Sequence, residues 1–155
     1  MVNNFLYAMK HSYSLMETQV NEILQKSSYT NEDENKLFYV VGNCLHTTLD
    51  YAERVGKMIN EEDKNKLDAF KYANNGLKHG LKIQKLTEPK GGLTFPIQFP
   101  LCIETREIVW NIEQDKQSKH QREMYLKYLA GKNVISTCRE FIDQLKSYSI
   151  ESVGD

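Results

Sequence analysis

The chain has 155 residues, 40% hydrophobic and 26% charged, which is enough for one domain with a core of its own and too apolar for a disordered segment. Its formal net charge of −1 excludes a broad electrostatic grip on nucleic acid and leaves room for no more than a local basic patch. No stretch approaches the roughly 18 apolar residues of a membrane span. Polar residues interrupt the first apolar positions throughout, and Cys44, Cys102 and Cys138 form no C-x-x-C pair. Together these features predict a cytoplasmic protein with free thiols.

The first element runs from about Asn3 to Ser27. Phe5, Leu6, Met9, Tyr13, Met16, Val20, Ile23 and Leu24 recur at steps of three and four, the stripe of an amphipathic helix. SSYTNEDEN breaks it, and Thr30 followed by Asp33 has the form of a capping box for a second helix. That helix carries Leu37, Val40, Val41, Cys44, Leu45, Thr48, Tyr51, Ala52, Val55, Met58 and Ile59, a stripe wide enough for a central position. Asn60 before Glu61, Glu62 and Asp63 is a strong start for a third helix, because the acids complement the positive end of its dipole. Its period extends to about Lys85, with Leu67, Phe70, Ala73, Asn74, Leu77, Leu81 and Gln84 in one arc. Tyr72, Asn75, His79 and Lys82 fall on another face.

TEPKGG ends this helix. Leu93, Phe95, Ile97, Phe99, Leu101 and Ile103 then alternate at period two, and Pro96 and Pro100 restrict that strand to an edge. REIVWNI, with Trp110, is a second short strand candidate, and the two together read as a small hairpin at about 91–113 that caps one end of the bundle. The final segment, about Ser118 to Ser147, holds Met124, Tyr128, Ile135, Cys138, Ile142 and Leu145 at helical spacing. A continuous helix is the expectation there. The alternative is a break at AGKN with Asn133 capping a new start. The fold class is therefore mainly α, an antiparallel four-helix bundle with a β-hairpin insertion between the third and fourth helices, in a single domain over 1–155.

Familiar chemistry is missing from the motifs. His11, His46, His79 and His120 have no second ligand at metal-binding spacing, and there is no phosphate-binding loop, dinucleotide fingerprint or nucleophile elbow. No metal or cofactor is expected. Cys44 and Cys138 fall on apolar helix positions and read as small core residues. Tyr125, Tyr128, Phe141 and Tyr148 interleave with Lys119, Arg122, Lys127, Lys132 and Arg139. Single-stranded RNA stacks on such a face, but Glu123, Glu140 and Asp143 dilute it towards an ordinary solvated one.

The informative stretch is ANNGLKH in the third helix, where Asn74, Asn75 and Gly76 each cost helix stability. Taken singly, each has a plain packing explanation: a satisfied buried amide, a close helix approach, a surface histidine. Taken together they resemble the R-x4-6-H motif of HEPN domains, nucleotide-binding and RNA-cleaving helical bundles. In that comparison His79 matches the motif histidine, Asn75 its polar second residue, and Asn74 stands where the arginine belongs.

The resemblance implies a homodimer with the motifs facing each other. In the active members it also implies metal-independent attack by a ribose 2′-hydroxyl. A histidine can take that proton, and an arginine stabilises the phosphate. Asparagine cannot supply the missing charge. The candidate catalytic residues are therefore His79, Asn75 and Asn74, with Lys82, Lys78 and Tyr72 as binding residues. The first expectation is a degenerate, non-catalytic HEPN-like protein that binds a protein partner, a nucleotide or RNA, without DNA or membrane. The resemblance sets it in toxin–antitoxin or phage-defence systems. Its rivals are an active endoribonuclease using His79 and a purely structural or regulatory helical module.

Overall fold

Thr30 starts the longest helix as its sequence dictates. Its hydroxyl accepts from the Asp33 backbone N–H at 3.2 Å, and the Asp33 carboxylate accepts in return from the Thr30 backbone N–H at 3.0 Å. This reciprocal cap opens α2, Asn31–Val55, which follows α1, Val2–Leu24, in a computed structural model that describes residues 2–80, 84–87, 106–112 and 118–148. Lys26 pairs with the same buried carboxylate, so one acid caps α2 and closes the α1–α2 connection. The two helices lie antiparallel. Asn43 donates to Ser12 at 3.3 Å near their middles, and the Arg54 guanidinium sits 4.3 Å from the Phe5 ring at the far end.

Asn60 caps α3, Glu61–Lys78, by accepting from the Asp63 N–H at 2.8 Å. Two three-residue strands follow, β1 at Gln84–Leu86 and β2 at Ile108–Trp110, paired antiparallel with Lys85 opposite Val109. The chain then forms α4, Lys119–Tyr128, and α5, Val134–Lys146. Every helix and β2 contribute to one cluster of buried side chains. At its centre Phe70 of α3 stacks on Phe141 of α5, with centroids 4.6 Å apart, and meets the edge of Trp110 at 6.2 Å. Such ring pairs add about 0.5–1.5 kcal/mol each beyond the area they bury. Trp110 is fully buried, and its indole N–H donates to the Thr137 hydroxyl at 2.7 Å.

Several sequence expectations need correction. The third helix stops at Lys78, not Lys85. Gly80 adopts φ +73°, and its N–H donates to the Leu77 carbonyl at 2.9 Å, a left-handed exit that closes the helix while the apolar period runs on in sequence. The strand that follows, Gln84–Leu86, takes β2 as its partner; the expected first strand at 93–103 lies outside the described residues. The final segment is two helices, making five in the described residues where four were expected. Gly131 takes φ +74° and donates to the Trp110 carbonyl at 2.8 Å, and Asn133 caps α5 by accepting from the Ser136 N–H at 3.0 Å. A continuous helix would forfeit both bonds. Met58 and Ile59, both expected on the α2 stripe, lie past its end at Val55; Met58 is 45% exposed, whereas Ile59 is buried.

Candidate functional site

The face of α2 that turns towards α3 presents His46, Leu49, Asp50 and Glu53, spaced so that all four share one side of the helix. Opposite them α3 presents Lys71, Asn74, Asn75 and Lys78 at the same kind of spacing. One turn before His46, Gly42 faces α3, where an added Cβ would make an ordinary 3.5 Å contact with Leu77 Cδ1. With Gln121 of α4 these residues line an open groove of about 250 Å³.

Leu49 apart, the residues that line the groove are polar or charged, and the charges balance. His46 Nε2 stands 3.7 Å from Asp50 Oδ2 along one helix turn. His46 is exposed and Asp50 partly so, so this contact is worth little and leaves both within reach of a ligand. Lys71 reaches Asp68 at 3.5 Å, and Asp68 also holds His120 Nε2 at 3.2 Å, which fixes the first turn of α4 beside Gln121. Lys78 is exposed at the other end and has no ion-pair partner among the described residues. The three amides of Asn74, Asn75 and Gln121 both donate and accept. Two carboxylates, two ammonium groups and an imidazole surround them.

The anticipated site residues divide accordingly. Asn74, 8% exposed, Asn75, half-buried, and Lys78 come together in the groove. His79 does not line it. It is the exposed cap residue of α3, and its backbone N–H donates to the Asn75 and Gly76 carbonyls at 3.1 and 3.2 Å. Tyr72, expected to bind a ligand, is instead buried against Tyr125 of α4, with ring centroids 4.8 Å apart, because α4 packs on α3. Lys82 lies outside the described residues. The aromatic and basic residues of the final segment do not share one face: Tyr125 and Phe141 are core residues on different helices.

His46, Asp50, Glu53 and Gln121 were not anticipated. The only signal for the first two is the His-x-x-x-Asp spacing at the edge of the α2 stripe, and what faces it is decided by helix packing. Among the described residues no three His, Cys, Asp or Glu side chains gather as a metal site, and no helix is long and apolar enough to cross a membrane. Compared with known proteins, the chain matches no family model, no curated protein and no solved structure.

Proposed function

We propose that the chain is a degenerate HEPN-like module that binds a nucleotide or a short stretch of single-stranded RNA in the α2–α3–α4 groove without cleaving it. One observation carries the reading. The two asparagines of ANNGLKH meet Lys71, Lys78 and the His46–Asp50 pair in a single groove, while the motif histidine His79 stands outside it. The amides and carboxylates suit the hydrogen-bonding edge of a base and the ribose hydroxyls, and the lysines suit phosphate. At about 250 Å³ the groove falls just below the roughly 300–1,000 Å³ of drug-sized pockets, which suits one nucleotide at a time.

A labelled RNA oligonucleotide, followed by fluorescence polarisation in EDTA and run afterwards on a denaturing gel, tests this. The expected result is binding of uncut RNA, weakened about tenfold by the double change Asn75→Ala and Lys78→Ala, about 1.4 kcal/mol, and unchanged by His79→Ala. Absence of binding by nucleotides and RNA alike would remove the proposal.

The pairing of His46 with Asp50 inside the groove favours a second reading, an endoribonuclease whose base is His46. It requires RNA cleavage in EDTA that is lost in His46→Ala and kept in His79→Ala. The accompanying homodimer draws support from the exposed Tyr7 and Leu15 of α1 and Phe38 and Tyr39 of α2, apolar side chains that a second copy would cover. Light scattering on the wild type and on Tyr39→Glu checks it, with a dimer expected for the first and a monomer for the second.

A further inference from the structure

Away from the α2–α3–α4 groove, the first turns of α5 face α1 and the residues leading into β2 across a second cavity. Its volume of about 420 Å³ falls within the range of pockets that enclose small molecules. Val20 and Ile108, both buried, and Leu24 and Ile135, both half-buried, give it an apolar lining. The polar walls are held in place. Arg139 of α5 pairs with Glu17 of α1 and donates through Nε to the Tyr13 hydroxyl at 2.9 Å. Asn133 donates to Glu107 Oε2 at 3.1 Å, while its Oδ1 caps α5 by accepting from the Ser136 N–H at 3.0 Å. Three of the four charged side chains that line the cavity are thus engaged. Arg106, the fourth, is half-buried and makes no hydrogen bond or ion pair to another described residue. A guanidinium drawn partly out of water costs free energy unless an anion meets it.

We propose that this cavity binds a small aliphatic carboxylate, its head on Arg106 and its chain against Val20, Leu24 and Ile135. The guanidinium fork matches a carboxylate through two parallel N–H···O bonds. The N-terminal end of α5, with Asn133 and Ser136 on the cavity wall, adds the positive end of a helix dipole to the hold on an anion. The charge count sets the charge of the ligand. One guanidinium is uncommitted, and Glu17 and Glu107 line the same cavity, so a monoanion is accommodated and a phosphate dianion meets like charge. The apolar lining asks for a hydrocarbon body, which a bare inorganic anion lacks. The site shares no lining residue with the α2–α3–α4 groove, so it stands or falls independently of nucleotide binding there.

The test titrates the full, isotope-labelled chain with hexanoate and follows its backbone amides by two-dimensional NMR. The expected result is a saturable shift at Asn21, Arg106 and Ser136, with affinity rising about fourfold for each CH2 added on going to octanoate. Uncharged hexanamide should produce no such shift. Arg106→Gln should weaken hexanoate binding about tenfold or more. Ser136→Glu supplies an independent check. The position is exposed and lies in the first turn of α5, where an acid suits the helix, so the variant should fold with an undiminished melting temperature. Its new carboxylate stands at the cavity and should abolish hexanoate binding. Absence of a saturable shift overturns the proposal, as does equal binding of hexanamide or undiminished binding by the folded Ser136→Glu protein. Tighter binding of hexyl phosphate than of hexanoate overturns it too, because the site would then select a phosphate.

Discussion

The Tyr148 hydroxyl donates to Asp63 Oδ2 at 2.6 Å and accepts from the Asn60 backbone N–H at 3.3 Å, so a residue just past α5 completes the N-terminal cap of α3. Asp63 is buried at 6% exposure, and the negative carboxylate both strengthens this bond and raises the pKa of the phenol. Tyr148→Phe should destabilise the fold by about 1 kcal/mol, since Asn60 Nδ2 still reaches the same carboxylate at 3.1 Å. Urea unfolding of the two proteins measures it, and an unchanged midpoint would mean the tie contributes nothing.

Thr137 tests the core around Trp110. Replacing it with valine keeps the shape and leaves a fully buried indole N–H with no acceptor in place of the present 2.7 Å bond. The cost of stranding that donor is about 2 kcal/mol. Thr137→Ser, which keeps the hydroxyl, should recover most of it. Equal losses in both variants would assign the effect to packing alone.

Asp33 gives the fold an acid-side signature. The Lys26 ammonium and the Thr30 backbone N–H hold its carboxyl at about 2, below the ordinary 3.8. Between these values the unfolded chain binds more protons than the native one. The contribution of Asp33 is therefore complete above the ordinary value and lost as pH falls through about 2. The stability difference between wild type and Asp33→Asn should shrink as pH is lowered over that window. A difference independent of pH would place the role of Asp33 in its neutral hydrogen bonds.

Salt dependence separates the groove from a basic RNA-binding face. Two lysines neutralising two phosphates of a single strand give a slope of log K against log salt of about −1.4. Lys78→Ala should halve it. A slope several times steeper would place RNA elsewhere on the surface.

Where each boundary signal was local, the sequence disclosed it. Thr30 with Asp33, and Asn60 before three acids, set the starts of α2 and α3, because a cap is decided within four residues. The exits were harder. Gly80 and Gly131 each end a helix through a left-handed turn, while Leu81, Gln84 and Ile135 continue the helical period past them. Hydrophobic period reports which side chains are apolar and does not report whether the backbone between them turns. Gly131→Ala, strained at φ +74° although its Cβ would meet only an ordinary contact with Ile112 Cδ1 at 4.0 Å, should cost about 1 kcal/mol, and thermal unfolding checks it. The groove was half legible. Asn74 and Asn75 stood out because they oppose helix formation, but His46 and Asp50 sit on an ordinary polar edge and acquire meaning only through the helix packed across from them.

The short ladder between β1 and β2 continues by one step into a clasp: the Thr87 N–H donates to the Glu107 carbonyl at 2.9 Å, and the Glu107 N–H donates to the Thr87 hydroxyl at 3.0 Å. Residues 87 and 107 are thus held side by side. A flexible loop closed at such a clasp costs an entropy that grows only as the logarithm of its length, about 0.6 kcal/mol for each doubling. The clasp is a doorway at which a flexible segment can be grafted while the five described helices keep their places.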